Sequence, residues 1–257
     1  MLDAELLLAH ALGIDREQLL LQQPANVPAT FEQLLERRTA GEPVAYIVGK
    51  RGFWTIELEV TADVLIPRPD TETLLDAAIE HFRGRNPPTR ILDLGTGSGA
   101  LLLAALDQWP DATGIGIDAS PAALAVARRN AQRLGMSDRA ELRIGDWADG
   151  IAERFNLILC NPPYVATADE LGPGVAEHEP RAALFAGDDG LDALRILAPQ
   201  FPRLLNPAGL AAVEIGFDQA QSAAALLSRD GLRSRLARDL AGRSRAILLT
   251  SGAATSL

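Results

Sequence analysis

Two short segments of this 257-residue chain carry residue types that can do chemistry. The first is Asp93-Leu94-Gly95-Thr96-Gly97-Ser98-Gly99-Ala100, which lies between two apolar runs. Glycines let a backbone turn sharply and let a ligand approach with no Cβ in the way. A helix starting after them adds free N–H groups. Asp118 closes the next apolar stretch, where its carboxylate can accept hydrogen bonds from both hydroxyls of a ribose. Taken alone the turn is ambiguous, because Gly95, Gly97 and Ala100 also satisfy the dinucleotide pattern G-x-G-x-x-G/A. Asp93, just before the first glycine, favours S-adenosyl-L-methionine. That cofactor has no pyrophosphate to cradle, but its α-amino group suits a carboxylate partner.

The second segment is Asn161-Pro162-Pro163-Tyr164, directly after the apolar run Phe155–Cys160. A planar NH2 group, in an amide or a nucleobase, is a weak nucleophile because its lone pair is delocalised. To attack a methyl sulfonium it must be held in line, with that lone pair freed from conjugation. Asn161 offers a side-chain oxygen and Pro162 a backbone carbonyl, which together can accept both N–H hydrogens. Pro162 and Pro163 stiffen the loop, and Tyr164 supplies a flat face for a planar group. No strong general base is required, since the product can lose its proton to solvent. Cys160, at the end of an apolar run, reads as a plain buried cysteine.

The elements that must position these segments follow from period and punctuation. Leu2, Leu6, Ala9 and Leu12 recur at helical spacing and Gly13 stops them. A short segment at Leu19–Leu21 and a third helix from about Thr30 to Arg38 follow, closed by Gly41-Glu42-Pro43. Residues 53–66 change period: Trp54, Ile56, Leu58 and Val60 alternate with polar residues, which predicts a half-buried strand. Ala62-Asp63 reads as its turn, with Val64–Ile66 pairing back. Pro67 and Pro69 forbid helix, and Asp70, Thr71 and Glu72 suit the first turn of a helix to about Phe82. From Arg90 strands and helices alternate. Strands are expected at Ile91–Leu94, Thr113–Ile117, Leu142–Ile144, Leu157–Cys160 and Leu210–Ile215. Helices are expected at Ser98–Gln108, after Ser120-Pro121, and at Leu191–Leu205, and two β-like stretches fall near Leu232–Ala237 and Ala246–Thr250. Such alternation implies a mostly parallel sheet with helices on both faces. In an open sheet of this kind ligands bind outside the carboxyl ends of the strands, so both chemical segments share one crevice.

Composition narrows the class. The chain is 47% hydrophobic and 23% charged, which excludes a disordered or fibrous protein. A net charge of −10 and a single lysine, Lys50, argue against stable binding to bare nucleic acid. One cysteine forms no intrachain disulfide, and His10, His81 and His178 are too scattered for a metal cluster. The acidic start lacks the features of a signal peptide, and no apolar run approaches membrane-spanning length, so a cytoplasmic protein is expected.

With these motifs in place the chain resembles the HemK/PrmC family, class I S-adenosylmethionine-dependent methyltransferases that modify the glutamine of bacterial peptide-chain release factors. The resemblance covers almost the whole chain. It runs from Gly41-Glu42-Pro43, Tyr46-Ile47, Gly49 and Phe53-Trp54 through Leu65-Ile66-Pro67-Arg68-Pro69-Asp70-Thr71-Glu72 and Asp93 to Gly99. It continues in Gly145-Asp146-Trp147, Asn161 to Tyr164, Glu179-Pro180-Arg181-Ala182-Ala183-Leu184, Gly187 and Gly190-Leu191. The Pro-Arg-Pro-Asp-Thr-Glu run is the most telling, since general methyltransferases lack it.

The resemblance implies an α/β fold: a Rossmann-like, mostly parallel seven-stranded sheet, a small N-terminal helical domain and a linking β-hairpin. The implied divisions are residues 1–50 for substrate recognition, 51–88 for hairpin and linker helix, and 89–257 for the methyltransferase domain. Asp93, Gly95, Thr96, Gly97, Ser98 and Gly99 would wrap the methionine part of the cofactor, Asp118 would bind its ribose, and Trp147 would flank the adenine. Asn161, where cofactor and substrate meet, would hold the substrate glutamine with Pro162, Pro163 and Tyr164. The N-terminal helices would help recognise the release factor, whose Gly-Gly-Gln loop carries the target, and the product would be N5-methylglutamine. Family members carry a further helical stretch before the Asp3–Leu8 motif, so the helical domain is expected to be incomplete at its start.

Other residues carry open readings. Arg68 either neutralises a cofactor or substrate carboxylate or pairs with Asp70. Glu177, His178 and Glu179 read as a solvated loop over the site, shaped by Glu179 and Arg181. Arg229, Arg233, Arg235, Arg238, Arg243 and Arg245 read as a solvated basic face. Rival functions are glutamine methylation of a ribosomal protein, amino-methylation of DNA or RNA with base flipping, a non-catalytic cofactor-binding protein and a nicotinamide oxidoreductase.

Overall fold

The computed structural model describes residues 2–22, 24 and 26–251. Four helices open the chain: α1 (Leu2–Leu12), α2 (Arg16–Gln22), α3 (Thr30–Thr39) and α4 (Val44–Val48). α1 packs against the other three, burying Leu7 and Ala9 beside Leu19. Ion pairs Arg16–Glu5 and Arg38–Asp3 (both 2.7 Å) tie the outer surface. α4 is absent from the sequence reading because Val-Ala-Tyr-Ile-Val has the composition of a strand. Its ends explain it: Pro43 precedes the first turn, and Gly49 stops it in the left-handed region at φ 74°.

A two-stranded antiparallel hairpin follows, β1 (Lys50–Phe53) and β2 (Ile56–Glu59). Its turn lies at Trp54-Thr55; Ala62-Asp63 is a turn as well, as expected, closed by the Val64 N–H on the Thr61 carbonyl (3.1 Å), but Val64–Ile66 does not pair back as a strand. Period-two alternation runs on across a two-residue turn, so it cannot locate one. The turn is held from outside, where Glu72 accepts the Trp54 N–H (2.9 Å). Residues 60–68 lie outside any strand and turn at Thr61–Val64. Val60, Val64 and Ile66 pack instead with Tyr46, Ala123 and Val126.

After a 3-10 turn at Pro69–Thr71 come α5 (Glu72–Phe82), β3 (Arg90–Leu94), α6 (Ala100–Gln108), β4 (Thr113–Asp118), α7 (Pro121–Arg133), β5 (Ala140–Ile144) and β6 (Phe155–Cys160). Then come α8 (Val175–His178), α9 (Asp192–Leu197), α10 (Phe201–Leu204), β7 (Leu205–Glu214), α11 (Ala220–Leu227), β8 (Leu232–Arg238) and β9 (Ser244–Ser251). The expected helix 191–205 is broken between α9 and α10, where Pro199 lies, and Pro202 falls in the first turn of α10, where proline is tolerated. Ser120 caps α7 as expected, its Oγ accepting the Ala123 N–H (3.2 Å).

Seven strands form one sheet in the order β5-β4-β3-β6-β7-β9-β8. The five strands β5 to β7 run parallel, and β9 is antiparallel to both neighbours. The central strands are buried on both faces. Ile91, Leu157 and Leu159 face α5 and α6, while Leu92, Leu94, Ile158 and Cys160 face α9 to α11. This is why these strands read as continuous apolar runs and not as alternation. Cys160 is fully buried, as expected, and burial pushes its thiol pKa up, which keeps it inert. Among the described residues no helix is long and apolar enough to cross a membrane, and no cluster of His, Cys, Asp and Glu suits a metal ion.

Asn130 of α7 joins three parts of the fold. Its side-chain oxygen accepts the Glu59 N–H (2.7 Å), and its NH2 donates to the carbonyls of Glu59 (3.0 Å) and Ser98 (2.9 Å). The residue is fully buried, so hairpin, helix and glycine turn are locked by one amide. Asn130→Ala leaves a buried donor and acceptors unpaired and should cost about 1–3 kcal/mol. Urea unfolding checks this, and an unchanged midpoint would refute the clamp.

Candidate active site

The strand order reverses between β3 and β6, because β3 is followed in space by β4 on one side and β6 on the other. Such a reversal opens a crevice at the carboxyl ends of the strands. Asp93 is in register with Gly116 of β4 and with Leu159 of β6, so the loops after Leu94 and Cys160 emerge side by side. The glycine turn and the Asn161 loop therefore meet, as the sequence reading required.

The turn is fixed at both ends. Gly95 and Thr96 donate their N–H groups to the carbonyl of Ile117 (2.9 Å each). Gly95, Gly97 and Gly99 all have positive φ, at 74°, 55° and 84°. A Cβ on Gly97 would project into open space, so its absence leaves the backbone bare toward the crevice. The Asp118 carboxylate accepts the Gly97 N–H (2.8 Å) with one oxygen and the Ser120 N–H (2.9 Å) with the other.

Asp93 is buried on the same side. Its Oδ2 accepts the Thr96 hydroxyl (2.6 Å) and the Leu102 N–H (3.2 Å). Its Oδ1 is buried with no partner. Burial pushes the carboxyl pKa up to about 7, against the two hydrogen bonds and with the Asp118 charge adding to the rise. A buried, unpaired carboxylate oxygen is costly and fits a cationic amino group placed against it.

A cleft of ≈ 440 Å³ joins these groups. Asp93, the glycine turn, Asp118, Asp146 and Trp147 line it together with Asn161 and Pro163. Trp147 holds φ 52°, a conformation that costs a non-glycine residue free energy and is met at functional sites. Ala148, which follows it, is anchored at both backbone groups by the side chains of Gln200 (3.1 Å) and Arg203 (2.8 Å). Pro180, Ala182 and Ala183 cover the other wall. Glu179 is buried rather than solvated, and accepts the Ile66 N–H (3.1 Å) and the Arg68 guanidinium. Arg68 thus pairs with Glu179 and not with Asp70. The covering segment also abuts the N-terminal helices, since a Cβ on Gly174 would lie 2.5 Å from the Gly41 carbonyl. The motif Gly41-Glu42-Pro43 is therefore a seat for the loop that closes the site.

In the Asn-Pro-Pro-Tyr loop, the Asn161 Nδ2 donates to the Thr71 hydroxyl (3.2 Å). That contact engages the NH2 and leaves Oδ1 with no hydrogen-bond partner among the described residues. Pro162 is buried, and Tyr164 donates its hydroxyl to Glu214 (3.2 Å). These two do not line the cleft, unlike Asn161 and Pro163. Asp70 pairs with Arg245 (2.9 Å), which also holds Asp239 (3.1 Å). Arg245 is buried and does not belong to a solvated basic face. Thr71 and Arg68 lie in the Pro-Arg-Pro-Asp-Thr-Glu run and Glu179 in the Glu179–Leu184 motif, but their pairings were not legible there, and no motif pointed to Glu214.

The chain matches known proteins along its length. Residues 1–49 match the family model described as PrmC N-terminal domain, and residues 85–221 match that of a methyltransferase domain. It is 48% identical to the release factor glutamine methyltransferase of Rhodospirillum rubrum, covering 99% of this chain and 80% of that protein. It is 46% identical to the protein of the same name from Caulobacter vibrioides, covering 96% and 88%. A methyltransferase structure from Pyrococcus furiosus superposes with a TM-score of 0.57 at 15% identity, covering 86% of this chain and 99% of that one, a likeness of fold. Identity of this extent over nearly every residue, together with the cleft and loop described above, means that the chain belongs to the HemK/PrmC family of S-adenosylmethionine-dependent methyltransferases.

Proposed function

We propose that this protein transfers the methyl group of S-adenosyl-L-methionine to the side-chain amide nitrogen, N5, of the glutamine in the Gly-Gly-Gln loop of a peptide-chain release factor. The observation that carries the reading is the Oδ1 of Asn161 at the edge of the cleft, without a hydrogen-bond partner among the described residues, its NH2 engaged by Thr71. The cofactor, when bound, supplies a methyl group on a sulfonium. Asp93 would take the cofactor's α-amino group, the glycine turn would hold the methionine part, Asp118 the ribose and Trp147 the adenine. Asn161 Oδ1 accepts one N–H of the glutamine amide, and the Pro162 carbonyl, which stands beside the cleft lining and not in it, takes the other, which fixes the nitrogen and frees its lone pair. Tyr164 braces the loop through Glu214. Residues 1–50 serve as the recognition domain for the release factor, residues 51–88 as hairpin and linker helix, and residues 89–257 as the transferase proper. The protein works in the cytoplasm and needs no stable nucleic-acid contact.

Mass spectrometry of a release factor incubated with enzyme and cofactor tests the reading. A gain of one methyl on the Gly-Gly-Gln peptide is expected, and an unmodified peptide in the presence of a cofactor-binding enzyme would overturn it.

Cofactor binding should also depend on pH with a defined sign. In the free protein Asp93 titrates at about 7 because burial disfavours its charge. A cation beside Oδ1 favours the carboxylate, so binding below that pH must expel a proton. Affinity should therefore fall by about tenfold for each unit of pH below that point and level off above it. Titration calorimetry with S-adenosylmethionine from acid to mildly alkaline pH measures this, and Asp93→Asn should flatten the profile. A wild-type affinity that ignores pH would contradict the assignment.

A further inference from the structure

The Asn-Pro-Pro-Tyr loop can hold a substrate amide only if its acceptors stand still, and that depends on both of its ends. The entry is fixed by the sheet, where Cys160 is in register with Leu94 on one side and Val213 on the other. Pro162 and Pro163 each lock a φ angle, so the loop moves nearly as one piece. Its exit, the Tyr164 carbonyl, is held by a side chain from a distant part of the sequence.

That side chain is Gln219, in the turn between β7 and α11. Its Nε2 donates to the Tyr164 carbonyl (3.0 Å) and also faces the carbonyls of Gly190 (3.3 Å) and Asp189 (3.5 Å). Its Oε1 accepts the Gly216 N–H (2.9 Å). The direction of this amide is unambiguous. A backbone N–H can only donate and a carbonyl can only accept, so the oxygen must face Gly216 and the NH2 must face Tyr164. Gly190 permits the close approach. It sits at φ 70°, and a Cβ there would overlap both the Tyr164 carbonyl oxygen and the Gln219 Nε2. Just beyond Tyr164 the chain joins the segment that covers the cleft, Val165 donating to the Leu184 carbonyl and accepting the Ala186 N–H (2.9 Å each). Gln219 therefore ties three segments at one point: the Asn161 loop, the turn before α9 and the end of β7.

Resting on the reading of the Asn161 loop above, we propose that Gln219 is a positioning residue for methyl transfer, which pins the loop by the Tyr164 carbonyl and so fixes the separation of Asn161 Oδ1 and the Pro162 carbonyl. Gln219 does not line the cleft, so it acts through the loop. Without it the loop pivots on its β6 end, and the Pro162 carbonyl shifts relative to Asn161. A misplacement of about 1 Å costs on the order of a hundredfold in rate.

The test is single-turnover methyl transfer to a release factor at saturating cofactor, with the release factor titrated, beside cofactor affinity, circular dichroism and thermal unfolding. Gln219→Ala should lower the plateau rate at least about tenfold, while cofactor affinity and the half-saturating release factor concentration change less than about threefold. A role confined to stability would lower the melting temperature and leave the plateau rate of the folded protein unchanged. Gln219→Glu keeps the shape and the Gly216 bond but sets an ionised oxygen against the Tyr164 carbonyl. At neutral pH its plateau should fall at least as far as that of the alanine variant. Toward acid pH its carboxyl gains a proton and can donate again, so its rate relative to wild type should recover. This variant decides the matter if the alanine one fails to fold. A folded Gln219→Ala enzyme with the wild-type plateau, or a Gln219→Glu enzyme whose rate stays a constant fraction of the wild type across pH, overturns the proposal. A wild-type enzyme that binds cofactor yet leaves the glutamine unmethylated would instead refute the functional reading on which it rests.

Discussion

A planar amide nitrogen can be methylated only when both of its hydrogens are accepted and its lone pair is released from the carbonyl. That requirement asks for two acceptors at fixed separation and for the exclusion of competing donors. The single hydrogen bond from Asn161 to Thr71 fits the second condition, because it engages the Asn161 NH2 within the protein. Much of the surrounding structure keeps that bond in place. Thr71 ends the 3-10 turn before α5 and is buried, and Asp70 beside it is held by Arg245 from the far end of the sheet. Pro67 and Pro69 stiffen the approach.

The sheet supplies the other half of the geometry. Parallel pairing of β3 with both β4 and β6 makes the glycine turn, Asp118 and the Asn161 loop leave the same edge at neighbouring positions. The donor and acceptor regions of the reaction are thus brought together by strand register and not by flexible loops. The remaining wall comes from residues 179–183, fastened to the proline-rich segment through Glu179 and Arg68 and resting on the N-terminal helices near Gly41. Helical domain, hairpin and transferase fold are coupled through this one wall and through Asn130. A disturbance in the N-terminal helices therefore has a direct physical route to the cleft.

Local signals were legible in the sequence, and long-range pairings were not. The glycine turn, the Ser120-Pro121 cap, the central strands and the Asn161 loop each depend on neighbours in the chain, and each emerged where expected. Asp118 was placed at the cleft by its position after a strand, and Trp147 by the family resemblance. The failures share a cause. Arg68 and Asp70 are two residues apart and look like a pair, but their partners are Glu179 and Arg245, more than a hundred residues away. Glu179 looked solvated for the same reason, since nothing nearby in the sequence announces the arginine that lets it be buried. Glu214 passed as one residue of the strand Leu210–Ile215, and only the fold shows it under the Tyr164 hydroxyl. The hairpin was misplaced because alternation survives a two-residue turn, and α4 was missed because its apolar run lacks helical spacing.

The central claim is that Asn161 Oδ1 holds the substrate amide for attack. Single-turnover methyl transfer by Asn161→Ala at saturating cofactor, with circular dichroism to verify folding, tests it most directly. Loss of one acceptor leaves a donor unpaired, about 1–3 kcal/mol, and misalignment of the nucleophile adds on the order of a hundredfold in rate. The account predicts a fall of at least about two orders of magnitude with nearly unchanged cofactor affinity. A folded alanine variant that transfers methyl at close to the wild-type rate would contradict it.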